Sequence, residues 1–484
     1  MRAKRLTALA LGALLMGGAA SISCTATAGA ADPARAHVAA SSKPPTTSKP
    51  TITVTAALAS LLHAGTITEA VYTQDYAAYV AAKQSLAKLS GTRHAELGVV
   101  IANLQQIAAA GELIPSRLGA LFLTLERNRQ WWTTEPLLSA DERVSFAPSK
   151  IVWEYYPGQG IEIQWLATFG EGNGYYLSGK ENANLRQLLG EVIPLATDRA
   201  GGIAWEYMFH FDGGAPPWTS GLSQGTALQL LARAYSRFKE PADLTAAQQA
   251  LGIFQTAPPQ GVRVVTPAGA MYAEYTYAPS DKILNGFIQA VVGLYDYAEI
   301  TKEPLALSLF EAGDAEARSI VPSYNTGAWS MYDQFGESDL NYHELLTEFL
   351  QHLCERTTKK GLPFAAAEQT RAPIAADAIY CTTAAEFTAD LKTPPVISLL
   401  TKTLPGGTRG GVQMSLSKIS TVKLTVKQGS HVVWTNAATV DGPKPKLLWI
   451  TPTKGGTYSV TLTATDLAGN FSTTSGTIVV TPHQ

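Results

Sequence analysis

Leu97-Gly98-Val99-Val100-Ile101-Ala102-Asn103-Leu104-Gln105-Gln106-Ile107 repeats apolar residues at 97, 101, 104 and 107, the three-and-four spacing of a helix with one buried face. It is the middle one of three such stretches. Tyr72, Tyr76, Tyr79, Leu86 and Leu89 precede it, and Leu118, Leu121, Phe122 and Leu125 follow. Gly91 and Gly111 stand where the first two helices should stop, and Pro115 stands near the start of the third. Short helical hairpins are the expected product. The same period returns in Leu228, Leu231, Tyr235 and Phe238, in Phe287, Val291 and Leu294, and in Tyr342, Leu346, Phe349 and Leu353. The middle of the chain therefore reads as mainly α. The Gly-, Pro- and aromatic-rich stretches Tyr155 to Gly160 and Phe211 to Ser220 read as loops rather than strands.

From Pro394-Pro395 onward the period changes to two. Val422, Leu424 and Val426 alternate with polar residues, as do Tyr458, Val460, Leu462 and Ala464, which is the signature of half-buried strands. With the turn Asp466-Leu467-Ala468-Gly469-Asn470, residues 395–484 are predicted to form an all-β, immunoglobulin-like sandwich. It holds no cysteine pair and no titratable cluster, so a spacer or docking role is expected of it rather than catalysis.

The other end has the pattern of an export signal. Met1-Arg2-Ala3-Lys4-Arg5 leads into the apolar run Leu6 to Met16 and then small residues ending at Ala28-Gly29-Ala30. Residues 1–30 are predicted to be a signal peptide, residues 31–52 an Ala/Ser/Thr/Pro linker, residues 53–394 the helical domain and residues 395–484 the sandwich. The apolar run is shorter than the ~20 residues a membrane span needs, so a secreted protein without a span is expected. Ser21-Ile22-Ser23 ahead of Cys24 lacks the leucine that usually precedes a lipidated cysteine. Export leaves Cys354 and Cys381 as the remaining thiols in an oxidising compartment, where a bridge persists; the alternative is two unrelated buried cysteines. Loss of residues 1–30 removes Arg2, Lys4 and Arg5, leaving 34 basic against 39 acidic residues and a net charge of −5. That average argues against nucleic acid or densely sulfated chains as partners.

Three stretches carry more aromatic and amide side chains than packing alone requires. The first is Trp153-Glu154-Tyr155-Tyr156-Pro157-Gly158-Gln159-Gly160-Ile161-Glu162-Ile163-Gln164-Trp165, with Tyr156, Gln164 and Trp165 as candidate substrate contacts. The second, Phe211 to Gly225, offers Trp218 and Gln224. Rings beside amides suit pyranose faces and hydroxyls. The third runs through Glu274-Tyr275-Thr276-Tyr277-Ala278-Pro279, Leu284-Asn285-Gly286-Phe287, Gly293-Leu294-Tyr295-Asp296, Trp329-Ser330-Met331-Tyr332-Asp333 and Asn341-Tyr342-His343.

In that order these motifs, with Pro217-Trp218-Thr219-Ser220-Gly221-Leu222-Ser223-Gln224-Gly225, resemble the C-terminal domain of the D-glucuronyl C5-epimerases over roughly Trp153 to Cys354. The resemblance implies an α/α toroid, an incomplete barrel of helical hairpins. It implies a reaction that inverts C5 of a glucuronate residue to iduronate within a polymer, with a uronic-acid polysaccharide as partner. It implies Glu274 and Tyr342 as the proton-transfer groups, Tyr275 and Tyr332 as further active-site tyrosines, and Asn285 and His343 as substrate contacts. Gln289, one helical turn after Asn285, joins that set.

The residue types suit the chemistry. A C5 proton lies α to a carboxylate, so its removal gives an enediolate, and inversion needs a base on one face and an acid on the other. A carboxylate is the easier base. A tyrosine, with an ordinary pKa near 10, serves as an acid at neutral pH. Two departures stand out: Gln334-Phe335 and Leu340-Asn341 occupy places where animal members carry Arg, the natural bidentate partner of carboxylate or sulfate. The family's β-rich N-terminal region also gives way to the helices from Thr55 to Trp132. A uronan lyase, which begins with the same proton loss, and an inactive surface polysaccharide binder are the competing readings. The eight histidines are dispersed without His-x-x-x-His spacing, so neither a catalytic metal nor another cofactor is expected. The oligomeric state has no sequence signal.

Overall fold

The computed structural model describes residues 4–5, 52–360 and 379–483. The expected signal peptide and linker fall outside these residues, except for strand β1 (Lys4–Arg5) and Ile52. Two compact units divide the chain: unit 1 takes Met1–Asp281 and Gln289–Asp314, and unit 2 takes Lys282–Ile288 and Ala315–Gln484.

Unit 1 opens with α1 (Val54–His63), α2 (Glu69–Leu86), α3 (Gly91–Ala109) and α4 (Pro115–Thr134). Thr53 and Thr68 cap the first two, their hydroxyls accepting from Ala56 N and Val71 N, which satisfies donors that a helix start leaves free. Pro115 sits at the first position of α4, where its missing N–H costs nothing. The apolar stripe Leu97, Ile101, Leu104 and Ile107 is buried, and α3 packs on α4.

A short antiparallel sheet follows, in the order β1, β2 (Arg143–Ser145), β3 (Trp153–Tyr156), β4 (Gly160–Ile163). The stretch Tyr155 to Gly160, expected to be a loop, is thus a hairpin: Tyr155 pairs with Ile161 and Tyr156 with Gly160, leaving three residues for the turn. Burial decides this against the Gly and Pro signals. Trp153 and Tyr155 insert between Phe146 and Trp132, and Asn128 on α4 bonds both the N–H (2.8 Å) and the carbonyl (2.7 Å) of Ile161. Gly160 has φ +89°, and a Cβ there would lie 2.5 Å from Val100 Cγ2.

Next come α5 (Trp165–Ser178), α6 (Asn182–Val192), the hairpin β5 (Thr197–Arg199) and β6 (Gly202–Ala204), α7 (Gly221–Phe238), α8 (Pro241–Ala250), α9 (Gly252–Gln255), and the hairpin β7 (Arg263–Val265) and β8 (Ala270–Tyr272). α10 (Leu284–Thr301) and α11 (Pro304–Ile320) follow, with residues 289–314 in unit 1. α5 packs on α6 and α7, and α7 on α8. α7 and α10 meet backbone to backbone: a Cβ on Gly293 would lie 2.1 Å from the Gly225 carbonyl. Asp296 of α10 forms a buried ion pair with Arg233 (3.1 Å) and accepts from Gln229 (2.8 Å) on α7. The Asp of the Gly293-Leu294-Tyr295-Asp296 motif is therefore a packing residue.

Unit 2 contains α12 (Leu340–Glu355) and α13 (Tyr380–Asp390), which pack together and are joined by the Cys354–Cys381 disulfide, with Cα atoms 4.8 Å apart. Eight strands follow: β9 (Ile397–Leu399), β10 (Thr403–Pro405), β11 (Arg409–Leu416), β12 (Ser420–Gln428), β13 (His431–Val440), β14 (Lys446–Ile450), β15 (Gly456–Asp466) and β16 (Phe471–Thr481). They form a sheet in the order β10-β16-β15-β12-β13 and a second in the order β14-β11-β9. Val412, Met414 and Trp449 from the second sheet join Val422, Leu424, Val460 and Leu462 from the first in a single buried core. These are the period-two positions of the sequence. Lys418 ties this β region to the helices of unit 2: its buried Nζ donates to Asp390 O (2.7 Å) and Thr393 O (2.5 Å), pairs with Asp466 (2.8 Å) and lies 5.1 Å from the Trp329 ring centroid. No described helix is long and apolar enough to cross a membrane.

Candidate active site

In unit 1 the candidate residues gather around Trp218. The Tyr207 ring stacks on it at 4.3 Å, Phe211 lies parallel at 5.9 Å, and Tyr275 and Tyr277 present edges at 5.7 and 5.4 Å. Tyr156 joins through Phe209, with centroids 4.7 Å apart. The loop carrying these rings is pinned on both sides. Trp218 pairs with Tyr207 across an isolated bridge, and Thr219 exchanges bonds with Thr276 at 3.1 Å each way. Gly214 has to lack a side chain, because a Cβ there would stand 2.4 Å from the Tyr277 ring.

Glu274 lies two residues after β8 and beside Tyr275, Tyr277 and Tyr207 of this cluster. It is 8% exposed, and its Oε2 has no partner. Burial pushes its pKa up to about 7, against a smaller opposing effect of the hydrogen bond from Tyr275. The Tyr277 hydroxyl is likewise buried without a partner, and burial holds its pKa above the ordinary value. Buried polar groups are nearly always satisfied, so these two oxygens remain open to a polar partner.

The amides and the remaining indole do different work. Gln164 donates to the Tyr156 hydroxyl (2.9 Å) and accepts from Leu166 N (3.1 Å), capping α5. Gln224 is fully buried and bonds both backbone groups of Trp205. Trp165 is buried and donates to Glu206 O at 2.8 Å. Gln289 reaches Thr226 and Gln229 on α7, at 3.4 Å each. These side chains hold backbone and helices in place. Tyr207 and Phe209 escaped the sequence reading, although their alternation with Trp205 and Phe211 was the signal for a row of rings.

Unit 2 holds the second group. The Tyr332 and Tyr342 rings lie 4.7 Å apart. Asp339 caps α12 by accepting from Tyr342 N (2.8 Å), and Leu284 N donates to Tyr332 O (3.2 Å). Both tyrosines are therefore fixed through their backbones. Asn285 is buried, and its Oδ1 has no partner. Gln334, where animal members carry Arg, accepts from Lys282 N at 2.9 Å. His343 stacks face to face on Trp329 at 3.6 Å. Its Nδ1 accepts from Ser330 N (3.2 Å), so Nε2 carries the proton and donates to Phe387 O (3.0 Å). Burial lowers its pKa to about 4. It is a neutral, fully engaged ring. Among the described residues no group of three or more His, Cys, Asp or Glu is placed to hold a metal.

One comparison with known proteins falls on this part of the chain. The family model for the D-glucuronyl C5-epimerase C-terminus matches residues 199–368. Over those residues the chain is similar to that family. The match includes Trp218, Glu274, Tyr275, Asn285, Tyr332, Tyr342 and His343; the hairpin with Tyr156, Gln164 and Trp165 precedes it. A D-glucuronyl C5-epimerase of Caenorhabditis elegans is 30% identical over 131 residues, 24% of this chain and 21% of the relative. An uncharacterised protein of Methanocaldococcus jannaschii is 28% identical over 151 residues, 30% of this chain and 49% of the relative. The chain thus spans about a fifth and about half of these two epimerase-region relatives. Among solved structures, a sugar epimerase from a ruminal bacterium aligns with TM-score 0.33 at 13% identity, covering 47% of this chain and 58% of that one. A family 88 glycosyl hydrolase from Bacteroides vulgatus aligns with TM-score 0.34 at 12% identity, covering 66% and 85%. Both scores are too low to carry a fold argument.

Proposed function

We propose that this protein is a carbohydrate-active isomerase, a uronan C5-epimerase that converts D-glucuronate residues to L-iduronate within a polysaccharide. The observation that carries the reading is Glu274: a buried carboxylate with one unpartnered oxygen, a pKa near 7 and aromatic rings beside it. A general base works best when its pKa lies near the operating pH. In the proposed cycle Glu274 takes the C5 proton, and the electron pair passes into the substrate carboxylate as an enediolate. Tyr342 then returns a proton to the opposite face. Glu274 is left protonated and Tyr342 ionised, and both reset by exchange with water, so a solvent proton ends at C5. Tyr275 and Tyr332 flank the two groups, and Asn285 faces the sugar through its unpartnered oxygen.

On the same reading the helical hairpins form an α/α toroid and the two sheets an immunoglobulin-like module, exported behind a cleaved leader. The replacement of the family's Arg by Gln334 and Phe335 favours an unsulfated uronan. Incubation with heparosan in heavy water tests the proposal. Deuterium at C5 with chain length unchanged is the expected result. Unsaturated, ultraviolet-absorbing ends would identify a lyase, and no reaction on any uronan would leave a binding protein.

A further inference from the structure

The charge of this chain is distributed unevenly. Residues 395–484 hold eight Lys and Arg against two Asp, while residues 31–394 hold 26 basic against 37 acidic residues. Of those ten charges, Lys418 and Asp466 neutralise each other in the interior. The other seven basic side chains, Lys402, Arg409, Lys423, Lys427, Lys444, Lys446 and Lys454, are all exposed, with Asp441 as the one exposed acid. The β region is therefore a cationic body on an otherwise acidic protein.

The outward face of its five-stranded sheet has a definite composition. Val422, Leu424 and Val426 point into the core, so Thr421, Lys423, Thr425 and Lys427 of β12 point away from it. Register sets hydroxyls in rows beside them: Lys423 pairs with Thr463, which pairs with Thr473, and Thr425 pairs with Thr461, which pairs with Ser475. Phe471, 68% exposed, ends the row that begins at Thr421. None of the five strands carries an exposed carboxylate. At ~3.3 Å per residue, Lys423 and Lys427 stand about 13 Å apart along one strand.

We propose that this face docks an extended uronate polymer, the lysines meeting carboxylates and the threonine rows meeting sugar hydroxyls. The assignment of the polymer rests on the proposed function; the choice of a polyanion rests on charge complementarity alone. The partner is a polysaccharide and not a nucleic acid or membrane, because rows of hydroxyls outnumber both the two lysines and the exposed apolar side chains of the face, Phe471, Val432 and Val479. Docking there would hold a long chain to the protein between reaction events and raise its local concentration.

The test uses the full-length Glu274→Gln protein on immobilised heparosan, so that binding is read without turnover. Dextran, polyphosphate and anionic vesicles serve as comparison surfaces. The expected result is binding to heparosan that weakens with salt, with no binding to dextran. The Lys423→Gln/Lys427→Gln variant should bind heparosan about tenfold more weakly, ~1.4 kcal/mol. Lys444→Gln/Lys446→Gln, outside the face, should change it less than about twofold. Such exposed substitutions leave the fold intact. Undiminished binding after the Lys423/Lys427 change, equal loss from the Lys444/Lys446 change, or a preference for dextran, polyphosphate or vesicles would each overturn the proposal. Docking on heparosan by a wild-type protein that exchanges no C5 proton would instead reject the catalytic reading and leave this one standing.

Discussion

Glu274 combines two requirements that pull against each other. Burial raises its pKa, and the Tyr275 hydrogen bond limits how far it rises. If it is the base, deuterium incorporation should climb with pH through a midpoint near 7, because the carboxylate is ionised above that value and neutral below it. A pH profile that is flat from 5 to 8 would contradict this. Gly214→Ala gives a second check: its Cβ would stand 2.4 Å from the Tyr277 ring, and forcing that ring aside should cost ~1–3 kcal/mol. The drop would show as a lower midpoint in urea. The sequence reading settled on Glu274, Tyr275, Tyr332 and Tyr342 because proton abstraction restricts the residue types to a few choices. Their partners were not. Nothing around Gln224 or His343 in the sequence announces that Trp205 and Phe387 occupy their polar atoms, since those contacts come from distant stretches of chain.

At the level of elements, periodicity located α2, α3 and α4 and the core strands β12 and β15. It failed at the Trp153–Ile163 hairpin, where Pro157 and Gly158 read as loop although the flanking rings were destined for burial. Local signals cannot report a partner such as Asn128, which lies 33 residues upstream of the Ile161 it bonds. The Cys354–Cys381 pair was readable because only two thiols are left once residues 1–30 are read as a cleaved leader. It predicts that the processed, denatured protein has no titratable thiol without reductant; finding two would refute the bridge. Asp339→Ala removes the cap that fixes Tyr342 N and should cost ~1 kcal/mol, with a fall in kcat larger than the fall in stability explains. His343 adds a pH term. Its folded pKa of about 4 lies below the ordinary value, so it stays neutral in the fold and its contribution is lost as pH falls through about 6.5 toward 4. The wild-type protein should therefore lose more stability over that window than His343→Gln does.

For the whole molecule, the sequence division at residue 395 separates helical from β composition, yet the contacts place both in unit 2. Lys418 contributes to this, reaching helix-side carbonyls, Asp466 and the Trp329 ring that backs His343, and Ile419 N and Asn470 bond Glu337 and Leu391 O beside it. Lys418→Met strands the Asp466 charge in the interior and should cost ~3–5 kcal/mol, most of it regained when Asp466→Leu is added. Calorimetric melting of the single and double variants would decide between that outcome and an additive loss. The account as a whole stands on Glu274 as the base. Its most direct test is solvent-deuterium incorporation at C5 of heparosan by Glu274→Gln beside the wild-type protein, with matched circular dichroism spectra. The account predicts a loss of about a hundredfold to ten-thousandfold; exchange by the variant at the wild-type rate would contradict it.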